Sequence, residues 1–378
     1  MKVFIIDISG KVTNYDLALL RAINSIIADN RVKLIAPDIS KKVVGVIHLF
    51  SFIPLKFKYS ENLLKRIAKA FEGLLNYFVL LLLCIRKRPE LLHFQWFPFM
   101  EFCSIDIFFV RLIKIVLRKQ SIFLTVHNVY PHNINLDRKI KYRERFIKMS
   151  KYVDKYIVHT RSSREELLND YSLSPDKVII IPHGIFSPDY KPKYIRHPKQ
   201  EDYHIIMYGN NLPYKGSDIL LDAVQLLPIE IKKHIKVTIV GATSEDYLDI
   251  LRDKSVGLNV IFNPNFVSDC LLYEMIDEAD YIALPYKKIS QSGVLLLALY
   301  FKKPLLVSNL PSFVETLVGF TSDMFFVSED PKSLKDLILR HIEGQIDVNR
   351  QMAAILELNK LYSWNNSAKK TILAYENQ

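Results

Sequence analysis

The feature that most constrains this 378-residue chain is an alternation, run twice, of short apolar segments with longer stretches of helical periodicity. Apolar runs of about four to eight residues read as strands, and apolar residues recurring every three or four positions read as helices. Residues 2–8 predict a strand and 14–29 a helix with Leu17, Leu20, Ile23, Ile26 and Ile27 on one face. Strands follow over 31–36, 43–48, 91–95, 121–127, 156–159 and 178–181, separated by helices over 61–86, 102–117, 138–149 and 162–171. Strands spaced by helices imply a parallel sheet covered on both faces.

The pattern then breaks. Residues 186–203 hold Pro188, Pro192 and Pro198 among many charges, with little apolar periodicity. Clustered prolines and polar residues mark a connecting segment. A second series follows, with strands over 203–208, 236–240, 260–262, 281–285 and 305–308. Helices are predicted over 217–226, 245–253, 268–279, 292–301, 333–343 and 347–364. The fold class is therefore α/β, with two Rossmann-like, doubly wound domains. Residues 1–185 form the first, 186–202 a linker and 203–355 the second, with a terminal helical segment over 356–378.

Charge follows the same division. Residues 1–193 hold 32 Lys and Arg against 17 Asp and Glu, a balance of +15, while the remainder stands at −4. A basic half implies an anionic partner: nucleic acid, a membrane face or a phosphorylated substrate. Eight cations between Arg138 and Lys155 concentrate this charge. No nucleic-acid-binding module or aromatic stacking motif accompanies them, so no nucleic-acid partner is expected. An anionic membrane surface, bound peripherally, is the preferred partner. The run Leu74–Ile85 has about 12 apolar residues, fewer than the ~20 that span a bilayer. It reads as a buried helix or as one that dips into a membrane between Lys65, Arg66, Lys69 and Arg86, Lys87, Arg88. Met1-Lys2 and the short run after it do not read as a signal peptide. Cys84, Cys103 and Cys270 have no short spacing, so neither a disulfide framework nor a zinc site is expected, and a cytoplasmic setting fits.

Ligands of doubly wound sheets sit beyond the carboxyl ends of the strands. The first strand ends at Ile8-Ser-Gly-Lys11, without a dinucleotide fingerprint. Gly10 is there either as a plain turn residue or as a close-approach site for a ligand. The strand over 121–127 runs into Val126-His-Asn-Val-Tyr-Pro-His132, whose His127, Asn128 and His132 offer hydrogen bonds to sugar hydroxyls or a proton carrier. His159 ends another strand, and His183 and Gly184 end the first half at a turn. In the second half, a strand meets Gly209, Asn210 and Asn211, then Pro213, then Lys215 before a helix capped by Ser217. A lysine at such a junction is placed for phosphate. Further on, Gln291, Ser292, Gly293 and Val294 open an apolar helix whose first N–H groups suit an anion. Lys215 and this turn are expected to clamp a diphosphate from two sides.

Taken together these segments resemble the GT4 glycosyltransferases of GT-B architecture. The resemblance rests on the paired halves, Thr125-Val-His-Asn-Val-Tyr-Pro-His132, Ile181-Pro-His-Gly184, Tyr208-Gly-Asn-Asn-Leu-Pro-Tyr-Lys-Gly216, Ala279–Tyr286, and Ser290-Gln-Ser-Gly-Val294 with Lys303-Pro304 and Glu315 downstream. It implies two domains facing a central cleft, with the final helix crossing back onto the first. It implies a nucleotide-diphosphate-sugar donor on the second domain, at Gly209, Asn210, Asn211, Lys215, Gln291, Ser292, Gly293, Val294 and Glu315. A glycan or lipid-linked acceptor is implied on the first, near Gly10, Asn128 and His132. His127 and Lys215 match the catalytic positions, the mode is retaining, and no metal or other cofactor is implied. Transfer for cell-surface glycan synthesis, at the inner face of the membrane, would follow. The chain departs from the family in two places. Asn210, Asn211 and Leu212 occupy a loop that usually carries an arginine. Ile289 and Leu297 stand where a glutamate pair is usual, so Gln291 and Ser292 are left to replace part of that bonding. A GT-B-shaped protein that binds without catalysing, or a nucleotide-sugar epimerase, remains an alternative.

Overall fold

A computed structural model of the chain describes residues 1–27, 31–37, 43–52, 63–131, 135–186, 188, 190–192, 202–289 and 292–377. It divides into two compact units, Met1–Gly184 with Trp364–Gln378, and Ile185–Ser363. In the first unit, β1 (Val3–Asp7), α1 (Thr13–Ile26), β2 (Val32–Pro37) and β3 (Val46–Leu49) are followed by α2 (Leu63–Lys87) and β4 (Leu91–Trp96). Next come α3 (Ile105–Leu117), β5 (Ser121–Thr125), α4 (Leu136–Met149), β6 (Lys155–Val158), α5 (Arg161–Tyr171) and β7 (Val178–Ile180). The strands form one sheet of order β3-β2-β1-β4-β5-β6-β7, parallel at every pairing. Its strands are almost wholly apolar because helices cover both faces.

The second unit runs through β8 (Tyr203–Tyr208), α6 (Ser217–Gln225), α7 (Ile229–Lys232), β9 (Ile235–Val240) and α8 (Glu245–Lys254). It continues with β10 (Asn259–Asn263), α9 (Asp269–Glu278), β11 (Tyr281–Leu284), α10 (Gly293–Phe301) and β12 (Leu305–Ser308). It closes with α11 (Pro311–Thr316), β13 (Phe325–Phe326), α12 (Pro331–Ile342) and α13 (Val348–Leu361). Its sheet is again parallel throughout, in the order β10-β9-β8-β11-β12-β13. In both sheets the strand order reverses beside the first strand of the unit, so the loops after β1 and β4, and after β8 and β11, flank the switch points where such folds hold ligands.

Three expectations need correction. Ile185, expected in the first domain, and Tyr190, expected in the linker, pack against the second core, and Tyr300 donates to the Tyr190 carbonyl at 2.7 Å; residues 193–201 of the expected linker lie outside the described residues. The terminal helix is two helices. Residues 356–361 finish α13, and the chain breaks at Tyr362-Ser363 before α14 (Trp364–Glu376), which packs on α1 in the first unit. The apolar run at 74–85 sits inside the 25-residue α2, a helix long and apolar enough to cross a membrane by length and composition. One face of it is buried at Tyr77, Leu80 and Cys84, so here it is a surface helix of a folded unit.

The break before α14 has a packing cause. A Cβ on Gly184 would lie 2.3 Å from the Trp364 ring. Gly184 therefore makes room for a side chain, and no turn requires it. Gly184→Ala should destabilise the protein by about 1–3 kcal/mol, as overpacked cores do. The same substitution should cost far less in a Trp364→Ala background. Urea unfolding followed by circular dichroism measures both, and equal costs in the two backgrounds would refute the contact.

Candidate functional site

The two ends of the expected diphosphate clamp meet at one glycine. β8 runs into Gly209, which has φ +92°, and a Cβ there would lie 3.0 Å from Lys215 Nζ and 3.1 Å from Val294 Cγ2. The loop that carries Lys215 is fixed by backbone contacts. A Cβ on Gly216, at φ +76°, would sit 1.9 Å from the Pro285 carbonyl oxygen, and one on Gly241 would sit 2.3 Å from the Gly209 oxygen. Both are sites where only glycine admits the neighbouring backbone. Lys287 N also donates to the Tyr214 oxygen at 2.8 Å. The loop after β8 is thus held against the loops after β9 and β11.

Lys215 is 6% exposed, at the end of a short 3₁₀ turn. Its ammonium stands 5.6 Å from the centre of the Tyr286 ring, and among the described residues no carboxylate pairs with it. Burial holds its pKa down to about 8. The neighbouring Lys287, by contrast, is paired with Asp218 at 2.6 Å.

Beside Lys215, α10 begins at Gly293. Ser292 is the N-cap, and its Oγ accepts from Leu295 N at 3.1 Å. Leu296 N donates to the Ser292 carbonyl at 3.2 Å. The N–H groups of Gly293 and Val294 make no hydrogen bond among the described residues. A Cβ on Gly293 would meet nothing within 4 Å, so among the described residues no atom crowds that side of the first helical residue. A buried unpaired ammonium next to two free N–H groups at a helix N-terminus has the donors that an anion site requires.

The other donor-side residues are less uniform. Asn210 is exposed. Asn211 is buried and braces its own loop: its amide donates to Thr243 Oγ1 at 3.3 Å and its carbonyl accepts from the Ser217 hydroxyl. Ser217 is therefore the first helical residue of α6, and Gly216 occupies the N-cap place expected of it. Glu315 is half-buried in α11, which Ser312 ties to the Ile289 carbonyl at 3.0 Å. Ile289 and Leu297 pack against the core. Gln291 lies outside the described residues, and so does His132 on the acceptor side.

In the first unit, the buried Asp7 at the end of β1 organises the loop that holds Gly10. Its carboxylate accepts from Ser9 N, Gly10 N and Val12 N at 3.1, 2.9 and 3.0 Å. Gly10 has φ +68°, so it turns the chain. Burial, then the charge of Asp7, holds the carboxyl of Asp16 well above the usual carboxylate range. Tyr15 lies against the rings of His127, His159, His183 and Trp364. His93 joins the group by hydrogen bonds of 2.7 Å to Tyr375 and Thr125. His127 and Asn128 border a cavity of about 30 Å³ between the loops after β4 and β5.

All four histidines are neutral. Burial lowers His93 and His183 to about 3 and His159 to about 4, and it holds His127 well below its ordinary range, helped by its neighbours. Their tautomers follow from their partners. His159 Nδ1 is 2.9 Å from the Ile181 carbonyl oxygen, which only accepts, so Nδ1 carries the proton. His159 Nε2 is then an acceptor, and His127 Nδ1, 3.4 Å away, donates to it. This leaves His127 Nε2 as an unprotonated nitrogen, buried and without a partner among the described residues. Its lone pair can accept a hydrogen bond from a hydroxyl. Asp7 and His159 had only their positions at strand ends as a signal, and Asp16 within α1 and His93 within β4 had no local signal at all.

Two family models match the chain: "Glycosyltransferase Family 4" over residues 28–186 and "Glycosyl transferases group 1" over 193–356. Among curated proteins, a D-inositol 3-phosphate glycosyltransferase of a Nocardioides species is 24% identical over 244 residues, 59% of this chain and 53% of its own length. An uncharacterised glycosyltransferase of Methanocaldococcus jannaschii is 25% identical over 237 residues, 58% of this chain and 59% of its own. The matched part thus spans little more than half of either relative. Among solved structures, Anabaena HepE in complex with UDP and glucose superimposes with a TM-score of 0.70, 14% identity and full coverage of both chains.

Two measurements check this geometry. Lys215→Met should raise the stability of the ligand-free protein at neutral pH by about 1–2 kcal/mol, since it removes a buried unpaired charge. In the wild type, affinity for a nucleoside diphosphate should fall as pH rises through about 8, where Lys215 loses its proton, by up to about tenfold per unit. A pH-independent affinity there, by calorimetry, would show that the ammonium does not meet the anion. Separately, imidazole ¹⁵N shifts should report His127 as the Nδ1–H tautomer, and His159→Phe should abolish that preference.

Proposed function

Because the chain belongs to the GT4-like glycosyltransferases, a family of GT-B architecture, we propose that it transfers a sugar from a nucleoside diphosphate sugar to a glycan or lipid-linked acceptor. One observation carries the reading: the buried, unpaired ammonium of Lys215 stands beside the free N–H groups of Gly293 and Val294. An anion with two adjoining phosphates satisfies both at once. As the bond from sugar to diphosphate breaks, negative charge grows on the departing phosphate. Donors already fixed around it stabilise that charge more than they stabilise the ground state. In this reading the phosphate charge is met by protein donors, with no metal needed. The complex of HepE with UDP and glucose makes UDP-sugars the first donors to try.

His127 Nε2 serves as an acceptor for a hydroxyl of the transferred sugar. Transfer proceeds with retention, and the departing phosphate takes the proton of the acceptor hydroxyl. No carboxylate base is then required. That suits a chain with Ile289 and Leu297 packed where the family's glutamate pair is usual. Gln291 and Ser292 instead replace part of the family's hydrogen bonding to the donor sugar.

The test is release of free nucleotide from a panel of nucleoside diphosphate sugars, with and without extracted membrane glycolipids. Lys215→Ala should lower turnover by about 10²–10³-fold, the usual effect of removing one such donor, and leave the fold intact. Near-wild-type turnover in that variant would overturn the assignment. Nucleotide binding at Lys215 with no release from any donor would favour a GT-B protein that binds without catalysing.

A further inference from the structure

The first unit carries an apolar face that no described residue covers. Along α2, Leu64, Ile67, Phe71, Phe78 and Leu82 follow one stripe, and each is more than half exposed. From Leu64 to Ile85 the stripe runs about 32 Å at the α-helical rise. Phe108 and Ile115 on the neighbouring α3 widen it. An apolar patch of this extent marks an interaction surface.

The helix cannot leave the fold to span a bilayer. Its inner face is tied down: Tyr77 donates to Asp106 on α3 at 2.6 Å and stacks on Phe109 at 4.6 Å. Asn76 donates to the Phe50 carbonyl at 3.0 Å and accepts from Phe50 N at 2.8 Å. The outer stripe therefore lies parallel to whatever covers it.

Charge selects the cover. Residues 63–119 hold ten Lys and Arg against four Asp and Glu, and two of the acids, Glu72 and Asp106, are buried. Arg66 and Arg86 stand exposed toward the two ends of the stripe, and Arg111 is exposed on α3 between Phe108 and Ile115. A second copy of the chain would bring these cations against themselves. A surface of anionic lipid headgroups would meet the cations while its hydrocarbon takes the stripe. The apolar surface also continues inward. A cavity of about 320 Å³ adjoins it, lined by Ile8, Ile67, Phe99, Phe102 and Ile105 and, on its polar side, by Ser9, Arg66, Lys69 and Glu72.

We propose that the α2–α3 face docks the protein on an anionic lipid surface, lying in the plane of the headgroups. This places the contact on the helix that the sequence offered as membrane-dipping, and not on the basic stretch between Arg138 and Lys155. Several of those cations are engaged within the fold. Arg145 donates to the carbonyls of Met100 and Glu101 at 2.7 Å, Arg143 to that of Asp170 at 2.6 Å, and Lys155 to that of Asp176 at 2.8 Å.

Flotation of the whole protein with phosphatidylglycerol-containing vesicles tests this, without any nucleotide sugar, so its outcome is independent of sugar transfer. The wild type should bind anionic vesicles, bind phosphatidylcholine vesicles more weakly, and lose affinity with added salt. The combined variant Phe71→Ser, Phe78→Ser, Leu82→Ser should bind at least about tenfold less. These side chains are exposed, and an unchanged melting curve confirms the fold. Arg86→Glu with Arg111→Glu should remove the preference for anionic lipid. Absence of binding to anionic vesicles at low salt, or unchanged binding by the triple variant, would overturn the proposal. So would a wild-type dimer in light scattering that the triple variant abolishes, since a second copy would then cover the face.

Discussion

A parallel sheet delivers the carboxyl ends of all its strands to one edge, and the loops leaving that edge must pack against one another. In the second unit this packing is tight enough that glycine alone is admitted at two places. The Gly209 carbonyl fills the space beside Gly241, and the Pro285 carbonyl fills the space beside Gly216. Those contacts leave the loop after β8 little freedom. Lys215 is carried inward by its backbone, and its ammonium ends beside the start of α10. The anion site is thus a consequence of how three strand ends are joined, and of small residues where they meet.

Two buried lysines of the same unit differ in how their charge is met. Lys303 is 2% exposed, but it donates to the Asp277 carbonyl at 2.6 Å and lies 4.0 Å from the Asp277 carboxylate. Its charge is answered within the fold, so it serves packing. Lys215 is nearly as deep, and among the described residues it has the Tyr286 ring near its ammonium and no carboxylate partner. An uncompensated buried charge is among the costlier features a fold can retain. It persists where something outside the chain completes it.

The alternation of strands and helices was legible in the sequence because burial on both faces of a sheet leaves a strong local pattern. Lys215, Ser292, Gly293, Val294 and His127 were legible because strand ends are where doubly wound folds place ligands. What escaped was set by contacts between distant segments. Asn211 looks like a ligand-binding loop residue, yet it braces Thr243 and Ser217. The break before Trp364 has no proline or glycine to announce it, and its partner Gly184 is 180 positions away in the chain. The cations between Arg138 and Lys155 form a conspicuous run, but which of them reach a carbonyl depends on neighbouring helices.

The two units solve opposite electrostatic problems at their strand ends. The second keeps a cation and free N–H donors, the means to hold charge that grows during a reaction. The first suppresses charge around His127: four histidines are neutral and Asp16 keeps its proton. A neutral imidazole has one donor and one acceptor, and the chain from Ile181 through His159 to His127 uses them in a fixed order. The end of that chain is a single lone pair. Such a group discriminates between ligands by where they carry a hydroxyl, and it does so without altering the charge of the site. Loss of His159 would therefore leave the imidazole of His127 in place but free its ring to turn either nitrogen outward, changing which hydroxyls it accepts before it changes the fold.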